Sequence, residues 1–463
     1  MKLINTGTLR LEEYLDASAP PYAILSHTWE DEEVLYQEFI QPAGPHLQKK
    51  GYTKIVQTCR LAREASFTHC WVDTCCIDKL SSAELTESIN SMFKWYQQSA
   101  VCLVYLSDLL PTDDPAKKLA SCRWFTRGWT LQELLAPRQL WFFDQSWTFR
   151  GSKDDFTAEL LSITQIQRRY LFDQQPLRNA PVARKMAWAA SRKTTRVEDA
   201  AYSLLGIFGI NMPLIYGEGQ AAFRRLQEEI MKQTNDLTIF HWTHGSKGGE
   251  APDASWYIDL FAASPANFNQ SARMSPHNRT FLDPEFSMTN KGLRITSCLL
   301  VSDLRPPQLV VGREWKTLDS VNDQFHNVCI FLRKIGPDLY VREGRATSTR
   351  AIMYDLTRDD THWMMRTFYI ATEAAEVEMF KWYPTPANKF FFFPTNSNFR
   401  VSDVTPTSHW DASNRMFFPP GSAEQIFAVK LRIYSYGRWV PDLLLVLDQR
   451  GKTPEIYVLS DGT

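Results

Sequence analysis

The chain has 463 residues, which is enough for two or three domains with hydrophobic cores of their own. Its 51 basic and 52 acidic residues leave a net charge of −1, so charge gives no indication of binding to nucleic acid or to an anionic membrane surface. The hydrophobic fraction of 44% and the charged fraction of 22% are typical of a folded globular protein.

The apolar segments and cysteines point to a cytoplasmic location. No apolar run approaches the roughly 18 residues that a membrane span needs, and the N-terminus lacks the apolar core of a signal peptide. The eight cysteines form no Cys-x-x-Cys pair and lie mostly within apolar segments, as is typical of reduced thiols. We therefore expect a cytoplasmic protein with no membrane span and no metal site.

The first 150 residues alternate apolar strands with helical patterns. Strands are predicted at 22–26, 70–73, 101–106 and 139–143. Helices are predicted over 48–65 and behind Ser81, which has Glu84 three residues later as in a capping box. Because these strands are apolar throughout, the pattern predicts an α/β domain with a parallel sheet covered on both faces.

Polar side chains lie where the predicted strands end. Ser26, His27 and Trp29 follow the first strand, and Asp73 ends the second. Ligands bind beyond the carboxyl ends of the strands in such sheets, so these residues are candidates for a binding site. For His27 and Asp73, a purely structural role in holding loops is an equally open interpretation.

Residues 121–137 form the segment with the most pronounced pattern. A helix is predicted from Ser121 to just before Pro137, and Trp129 and Glu133 lie one turn apart beside its buried stripe. The stripe consists of Trp124, Gly128, Leu131 and Leu135. Glu133 is either a ligand-binding carboxylate or a structural residue at the solvated margin, and Arg127 either binds a phosphate or pairs with the acids at 30–33.

Three blocks of sequence, at 22–29, 71–79 and 123–134, resemble the fungal heterokaryon-incompatibility (HET) domain family. The family usually has glycine where this chain has Glu30. This resemblance implies a role in programmed cell death after fusion of genetically unlike fungal cells.

The segment from Trp129 to Leu134 also resembles the Trp-x-x-x-Glu segment of TIR domains, to which HET domains look related. That resemblance implies a flavodoxin-like fold, hydrolysis of NAD as substrate without a further cofactor, and an oligomeric active unit. It makes Glu133 the catalytic residue. The candidate substrate-binding residues are Ser26, His27, Trp29, Asp73, Arg127 and Trp129.

The chemistry is consistent with a single carboxylate. Nicotinamide is already cationic on its ring nitrogen and leaves as a neutral molecule, so no general acid is needed, whereas ordinary glycosides require two carboxylates. Two alternatives remain open. The domain could be a non-enzymatic cell-death signalling module that acts by self-association, or an enzyme that uses the same cleft for another small molecule.

Residues 151–245 are predicted to form a helical extension, with helices over 154–172, over 196–206 up to Gly206, and over 221–233. Gly217 and Gly219 imitate a dinucleotide-binding loop, but without a complete βαβ unit they are interpreted as a tight turn.

Residues 246–463 contain short apolar runs between turns, which predict a β-rich domain of the antiparallel sandwich type. The aromatic segments 382–384 and 390–394 belong to this domain and are typical of a core, or less often of a recognition surface. It is a candidate site for a protein partner. The predicted domains are thus 1–150, 151–245 and 246–463.

Overall fold

The computed structural model describes residues 1–15, 18–173 and 176–243, and after them 257–276, 285–302, 305–315, 325–336, 338–344 and 361–374. From residue 391 it describes the strands given below and residue 407. The chain divides into two compact units. The N-terminal unit comprises Met1–Gly245, Ala262–Pro276 and Arg313–Gln324, and the C-terminal unit comprises Ser246–Phe261, His277–Gly312 and Phe325–Thr463. The predicted boundary at residue 150 falls inside the N-terminal unit and stays a prediction.

A seven-stranded sheet forms the centre of the N-terminal unit. Its strands are β1 Lys2–Asn5, β2 Arg10–Glu13, β3 Tyr22–His27, β4 His69–Trp71, β5 Val101–Tyr105, β6 Leu140–Phe143 and β7 Phe149–Ser152. They lie in the order β2-β1-β4-β3-β5-β6-β7. The four central strands are parallel, as predicted. Antiparallel strands, which the sequence pattern did not predict, extend both edges.

The connections between the parallel strands run in opposite directions along the sheet. From β3 the chain passes to β4 on one side, and from β5 it passes to β6 on the other. Every residue of β3 and β5 is buried, which explains their uninterrupted apolar sequence. In sheets of this kind a crevice forms beyond the carboxyl ends of two strands where the winding direction reverses, and here those ends are at His27 and Tyr105.

Helices cover this sheet and continue to residue 233. They are α1 Tyr36–Phe39, α2 Lys50–Glu64, α3 Ser82–Gln98, α4 Pro115–Lys118, α5 Thr130–Leu135, α6 Thr157–Thr164, α7 Arg168–Leu171, α8 Val182–Ala189, α9 Asp199–Tyr202, α10 Leu205–Phe208 and α11 Ala221–Gln233. Short 3-10 segments lie at Pro45–Gln48, Leu119–Ser121, Arg123–Thr126, Leu177–Asn179, Leu237–Phe240, Pro265–Phe268 and Ser271–Arg273. The helices predicted over 48–65 and behind Ser81 are confirmed as α2 and α3. The Ser81 hydroxyl accepts the Glu84 N–H at 3.3 Å.

The continuous helix predicted over 121–137 is wrong. The segment contains a 3-10 turn at Arg123–Thr126 and only the short helix α5. Between them, the Gly128 N–H donates to the Lys193 carbonyl at 2.8 Å and the Lys193 N–H donates to the Thr126 carbonyl at 2.6 Å. These bonds to a distant segment replace the helical pattern at 126–128. Trp124, Leu131 and Leu135 are buried all the same.

The helix predicted over 196–206 is also divided, into α9 and α10. Gly206 lies inside α10, and Gly209, with a φ of 68°, ends that helix instead. The tight turn predicted at Gly217 and Gly219 is confirmed, because both residues have positive φ angles, of 107° and 59°. The Glu198 carboxylate accepts the N–H groups of both glycines.

Strands make up most of the described residues after 250, which confirms the predicted β-rich character. These strands are β8 Tyr257–Ile258, β9 Met274–Ser275, β10 Glu285–Thr289, β11 Gly292–Ser302, β12 Arg305–Trp315, β13 Phe325–Gly336, β14 Leu339–Glu343, β15 Thr361–Ile370, β16 Phe391–Phe392, β17 Phe399–Thr405, β18 Trp410–Asp411, β19 Met416–Phe417, β20 Ile426–Ser435, β21 Arg438–Trp439, β22 Leu443–Asp448 and β23 Glu455–Ser460. One sheet has the order β10-β11-β15-β14-β13-β12, and another has the order β17-β20-β22-β23. A sandwich arrangement stays a prediction. Segment 382–384 lies outside the described residues, as does 390–394 except for β16.

Within the described ranges, no helix has both the length and the apolarity needed to cross a membrane. The same ranges contain no group of three His, Cys, Asp or Glu side chains that could hold a metal ion. The cysteines at 59, 70, 75, 76, 102 and 122 are free and buried.

Close packing of α10 on α3 predicts that Gly206→Ala destabilises the protein. A methyl group at residue 206 would lie 2.1 Å from Cβ of Phe93, an atom too near the backbone to move aside. We expect the free energy of unfolding in urea to fall by about 1–3 kcal/mol. Gly7→Ala is the matched control, since its added Cβ would have its nearest neighbour at 3.5 Å. Equal unfolding curves for the two variants would contradict the close approach of the two helices.

Candidate active site

Glu133 on α5 is a buried carboxylate at the carboxyl end of the central sheet. All six residues of α5 are buried, and the Glu133 side chain is held by the Ser26 hydroxyl, which donates to Oε2 at 2.5 Å. Trp124 Nε1 donates in turn to Ser26 Oγ at 2.7 Å. The structure therefore joins the end of β3 to α5 through one chain of hydrogen bonds. The interpretation of Glu133 as a residue at the solvated margin is wrong.

The surroundings of Glu133 favour its protonated form. Burial raises the pKa of Glu133 to about 8, against the lowering effect of the Ser26 hydrogen bond. The negative charge of Asp73 raises this pKa further, while the charge of Arg127 and a hydrogen bond with Tyr96 lower it. The Tyr96 hydroxyl also donates to the Leu25 carbonyl at 2.9 Å.

A second carboxylate, Asp73, has surroundings that favour its ionised form. His27 Nε2 lies 3.0 Å from one Asp73 oxygen, and Trp29 Nε1 donates to the other at 2.7 Å. Burial alone would raise the pKa of Asp73, but the hydrogen bond and charge of His27 and the charge of Lys79 lower it to about 2. The structure thus brings together three of the predicted site residues, His27, Trp29 and Asp73.

Two lysine side chains contact the cluster formed by His27, Trp29 and Asp73. Lys54 Nζ lies 3.4 Å from His27 Nδ1 and donates to Glu33 Oε1 at 2.5 Å, so both ring nitrogens of His27 face protein groups. Lys79 Nζ lies 3.5 Å from the centroid of the Trp29 ring, as a cation over its aromatic face. These contacts give His27 a positioning role and cover one face of the Trp29 indole.

A cleft of about 250 Å³ opens beside these residues, and we call it the cationic cleft. It is lined by Thr28, Trp29, Arg123, Thr126, Arg127, Lys193, Thr194 and Thr195. Arg123 is neutralised by Glu30, whose Oε1 lies 3.1 Å from Nη2. Within the part of the chain that the structure describes, no carboxylate pairs with Arg127 or Lys193. Two free cations among threonine hydroxyls form an environment suited to an anion.

The wall at 192–195 was missed by the sequence analysis, because no motif marks it. Arg192 Nη1 donates to the Arg127 carbonyl at 2.8 Å and lies 2.9 Å from Thr130 Oγ1. The segment around residue 128 can approach the segment 192–195 only because residue 128 is glycine, since a Cβ there would lie 2.4 Å from Thr194 Cγ2. Arg127 connects the cleft with the carboxylate, since its side chain lines the cleft and its charge lowers the pKa of Glu133.

Trp129 is predicted to bind substrate together with Glu133, and that role stays a prediction. Its side chain forms a hydrogen bond with Asp199 on α9, which also accepts a hydrogen bond from the Tyr216 hydroxyl at 3.1 Å. Glu133 bonds to Ser26 and Tyr96 instead. Trp129 therefore anchors the start of α5 to the helical extension.

Comparison with known proteins shows which family the N-terminal part of the chain resembles. Residues 22–114 match the family described as "Heterokaryon incompatibility protein (HET)". The chain is also 45% identical over 310 residues to the vegetative incompatibility protein HET-E-1 of Podospora anserina. The chain contains a HET domain. The aligned part covers 63% of this chain but only 22% of that relative's length.

The HET match includes β3, β4, α3 and β5, and with them Ser26, Asp73 and Tyr96. Glu133 and the cationic wall at Lys193 follow it in the chain. A second match, over residues 221–309, is to a family described as "Domain of unknown function (DUF8212)". No solved structure matches the chain.

Burial of Glu133 predicts that the stability of the N-terminal unit decreases as the pH rises. The folded chain keeps the Glu133 proton up to about pH 8, whereas the unfolded chain releases it near 4.5. The contribution of Glu133 to the free energy of unfolding is therefore fully present below pH 4.5 and is lost as the pH rises through 8. We expect wild type to lose up to about 1.4 kcal/mol per pH unit in that window relative to Glu133→Gln, measured by urea unfolding from pH 5 to 8.5. Parallel curves for the two proteins would contradict a raised pKa.

Proposed function

We propose that the HET domain of this chain hydrolyses the glycosidic bond between nicotinamide and ribose in NAD, with Glu133 as the catalytic residue. The observation that carries the proposal is a buried carboxylate with a raised pKa, which interacts electrostatically with Arg127, one of the residues that line the cationic cleft.

A single carboxylate suffices for this reaction. As the bond between C1′ and the nicotinamide ring nitrogen breaks, the electron pair goes to the nitrogen, nicotinamide leaves neutral, and positive charge develops on the ribose. The Glu133 carboxylate stabilises that charge, and water adds to C1′ and releases a proton. The cationic ring of bound NAD would itself favour the ionised form of Glu133, because opposite charge lowers the pKa of a carboxyl group.

The cationic cleft suits the remainder of the substrate. NAD carries a diphosphate, and in this proposal Arg127 and Lys193 bind it, with Thr126, Thr194 and Thr195 as hydroxyl donors. Such contacts would hold the ribose in place while Glu133 acts. Ser26 and Tyr96 position the carboxylate, His27 and Asp73 fix Trp29 at the edge of the cleft, and Trp129 anchors α5.

The proposal includes the fold relation to TIR domains. Taken in chain order, the four parallel strands are arranged 2-1-3-4, as at the start of the flavodoxin-like order. This arrangement supports a flavodoxin-like and TIR-like assignment of the domain.

At the cellular level, we infer a role in vegetative incompatibility, because HET-E-1 of Podospora anserina, to which the chain is similar, is a vegetative incompatibility protein. NAD consumption in the cytoplasm would cause the cell death that this role requires. An oligomeric active unit and a protein partner of the C-terminal unit complete the proposal.

Nicotinamide release from NAD by purified full-length chain is the decisive measurement. We expect release by wild type and a loss of about 100-fold or more in Glu133→Gln, since the amide keeps the size but cannot stabilise the cation. Glu229→Gln is the matched control, because Glu229 lies on α11 and pairs with the exposed Lys232 at 2.6 Å.

Each other outcome points to one of the alternatives. Equal release by wild type and Glu133→Gln would remove Glu133 as the catalytic residue. Absence of release at every protein concentration would favour the signalling module that acts by self-association. A steep rise of specific activity with protein concentration would support an oligomeric active unit.

The diphosphate contacts predict a change in KM. We expect Arg127→Gln and Lys193→Gln each to raise the KM for NAD about tenfold, since each removes one charge-assisted contact. Inorganic pyrophosphate should compete with NAD in wild type and less effectively in both variants. Lys232→Gln is the control. An unchanged KM in both cleft variants would show that the anion binds elsewhere.

A further inference from the structure

A second cavity, of about 170 Å³, lies in the helical extension, with no lining residue in common with the cationic cleft. Its walls come from α8, α10 and α11 and from the segment that follows α11. The apolar part consists of Val182, Phe208, Ile210 and Ile230. One cation, Lys185, is buried within it at 5% exposure, and Arg178 lies exposed at its rim.

Lys185 has no ion-pair partner among the residues that the structure describes. Its Nζ lies 4.3 Å from the centroid of the Phe208 ring, as a cation over the aromatic face. Asp236 also lines the cavity, but backbone groups use both of its oxygens. Oδ2 accepts the Val182 N–H at 2.7 Å and Oδ1 accepts the Thr238 N–H at 2.9 Å.

A buried ammonium group without a paired anion lowers the stability of the folded protein, because the charge has lost its hydration. Burial lowers the pKa of Lys185 to about 8, against the opposing charge of Asp236, so the group is still mostly charged at neutral pH. Replacing a buried unpaired charge by an apolar residue is usually neutral or stabilising, which makes a purely structural reason for this lysine weak.

We propose that this cavity binds a small organic monoanion, a carboxylate with a short apolar body, whose charged end pairs with Lys185. The apolar walls would take the body of the ligand, and the single buried cation matches a single negative charge. A phosphate group, with its greater charge, would need more donors than this cavity supplies. The volume is below the ~300–1,000 Å³ of ordinary ligand pockets, which limits the ligand to a small molecule. The site is independent of Glu133 and of the proposed NAD hydrolysis.

Benzoate is the probe, and benzamide is its neutral counterpart of the same shape. We expect isothermal titration of the full chain to give millimolar or tighter binding of benzoate and at least tenfold weaker binding of benzamide. Lys185→Met, which keeps the length of the side chain and removes the charge, should weaken benzoate binding at least tenfold. Lys232→Met, on the exposed face of α11, should leave it unchanged.

Hydrogen exchange followed by mass spectrometry makes the test independent of how the variant folds. Benzoate should slow amide exchange of wild type in α8 and in residues 234–236, and benzamide should not. The proposal would be overturned by absence of benzoate binding to wild type, by equal binding of benzoate and benzamide, by unchanged binding to a folded Lys185→Met, or by protection confined to other segments.

Discussion

The hydrogen bond from Ser26 to Glu133 is the contact on which the candidate site depends. It joins residues that are 107 positions apart, at the end of the central strand β3 and in the middle of α5. Because it is buried and continues to Trp124, loss of any member would leave a polar group without its partner in a low-dielectric interior. The bond thus fixes α5 against the sheet and keeps a carboxylate where water is largely excluded.

Two neighbouring carboxylates at this edge of the sheet carry opposite pKa shifts. Asp73 stays ionised because His27, Trp29 and Lys79 surround it, and its charge then helps to keep the proton on Glu133. Divergent pKa values in one cleft are typical of sites where one group handles charge or protons and the other provides a fixed field. Arg127 and Lys193, for which the described residues supply no ion-pair partner, line the cationic cleft and add a positive potential, so the site presents both signs of charge to a ligand.

Sequence patterns predicted what local forces determine. The apolar runs of the parallel strands and the helical patterns over 48–65 and behind Ser81 identified most of the sheet and its two long covering helices, α2 and α3. The interruption of the predicted helix at 126–128 could not be predicted from local patterns, because it results from hydrogen bonds to Lys193, more than sixty residues along the chain. Burial of Glu133 depends on Ser26 in the same way, and the cleft wall at 192–195 has no composition or spacing that distinguishes it from an exposed loop.

The position of the site along the chain has a consequence for how HET domains are delimited. The family match ends at residue 114, between β5 and α4. A protein truncated there would lose β6 and β7, and β5, which is buried on both sides, would become an open edge prone to pairing with other chains. Alignments that stop at residue 114 include Ser26 and Tyr96, which bond to the Glu133 carboxylate, but they omit Glu133 itself. The part of the chain that holds both Glu133 and the residues lining the cationic cleft extends at least to residue 195.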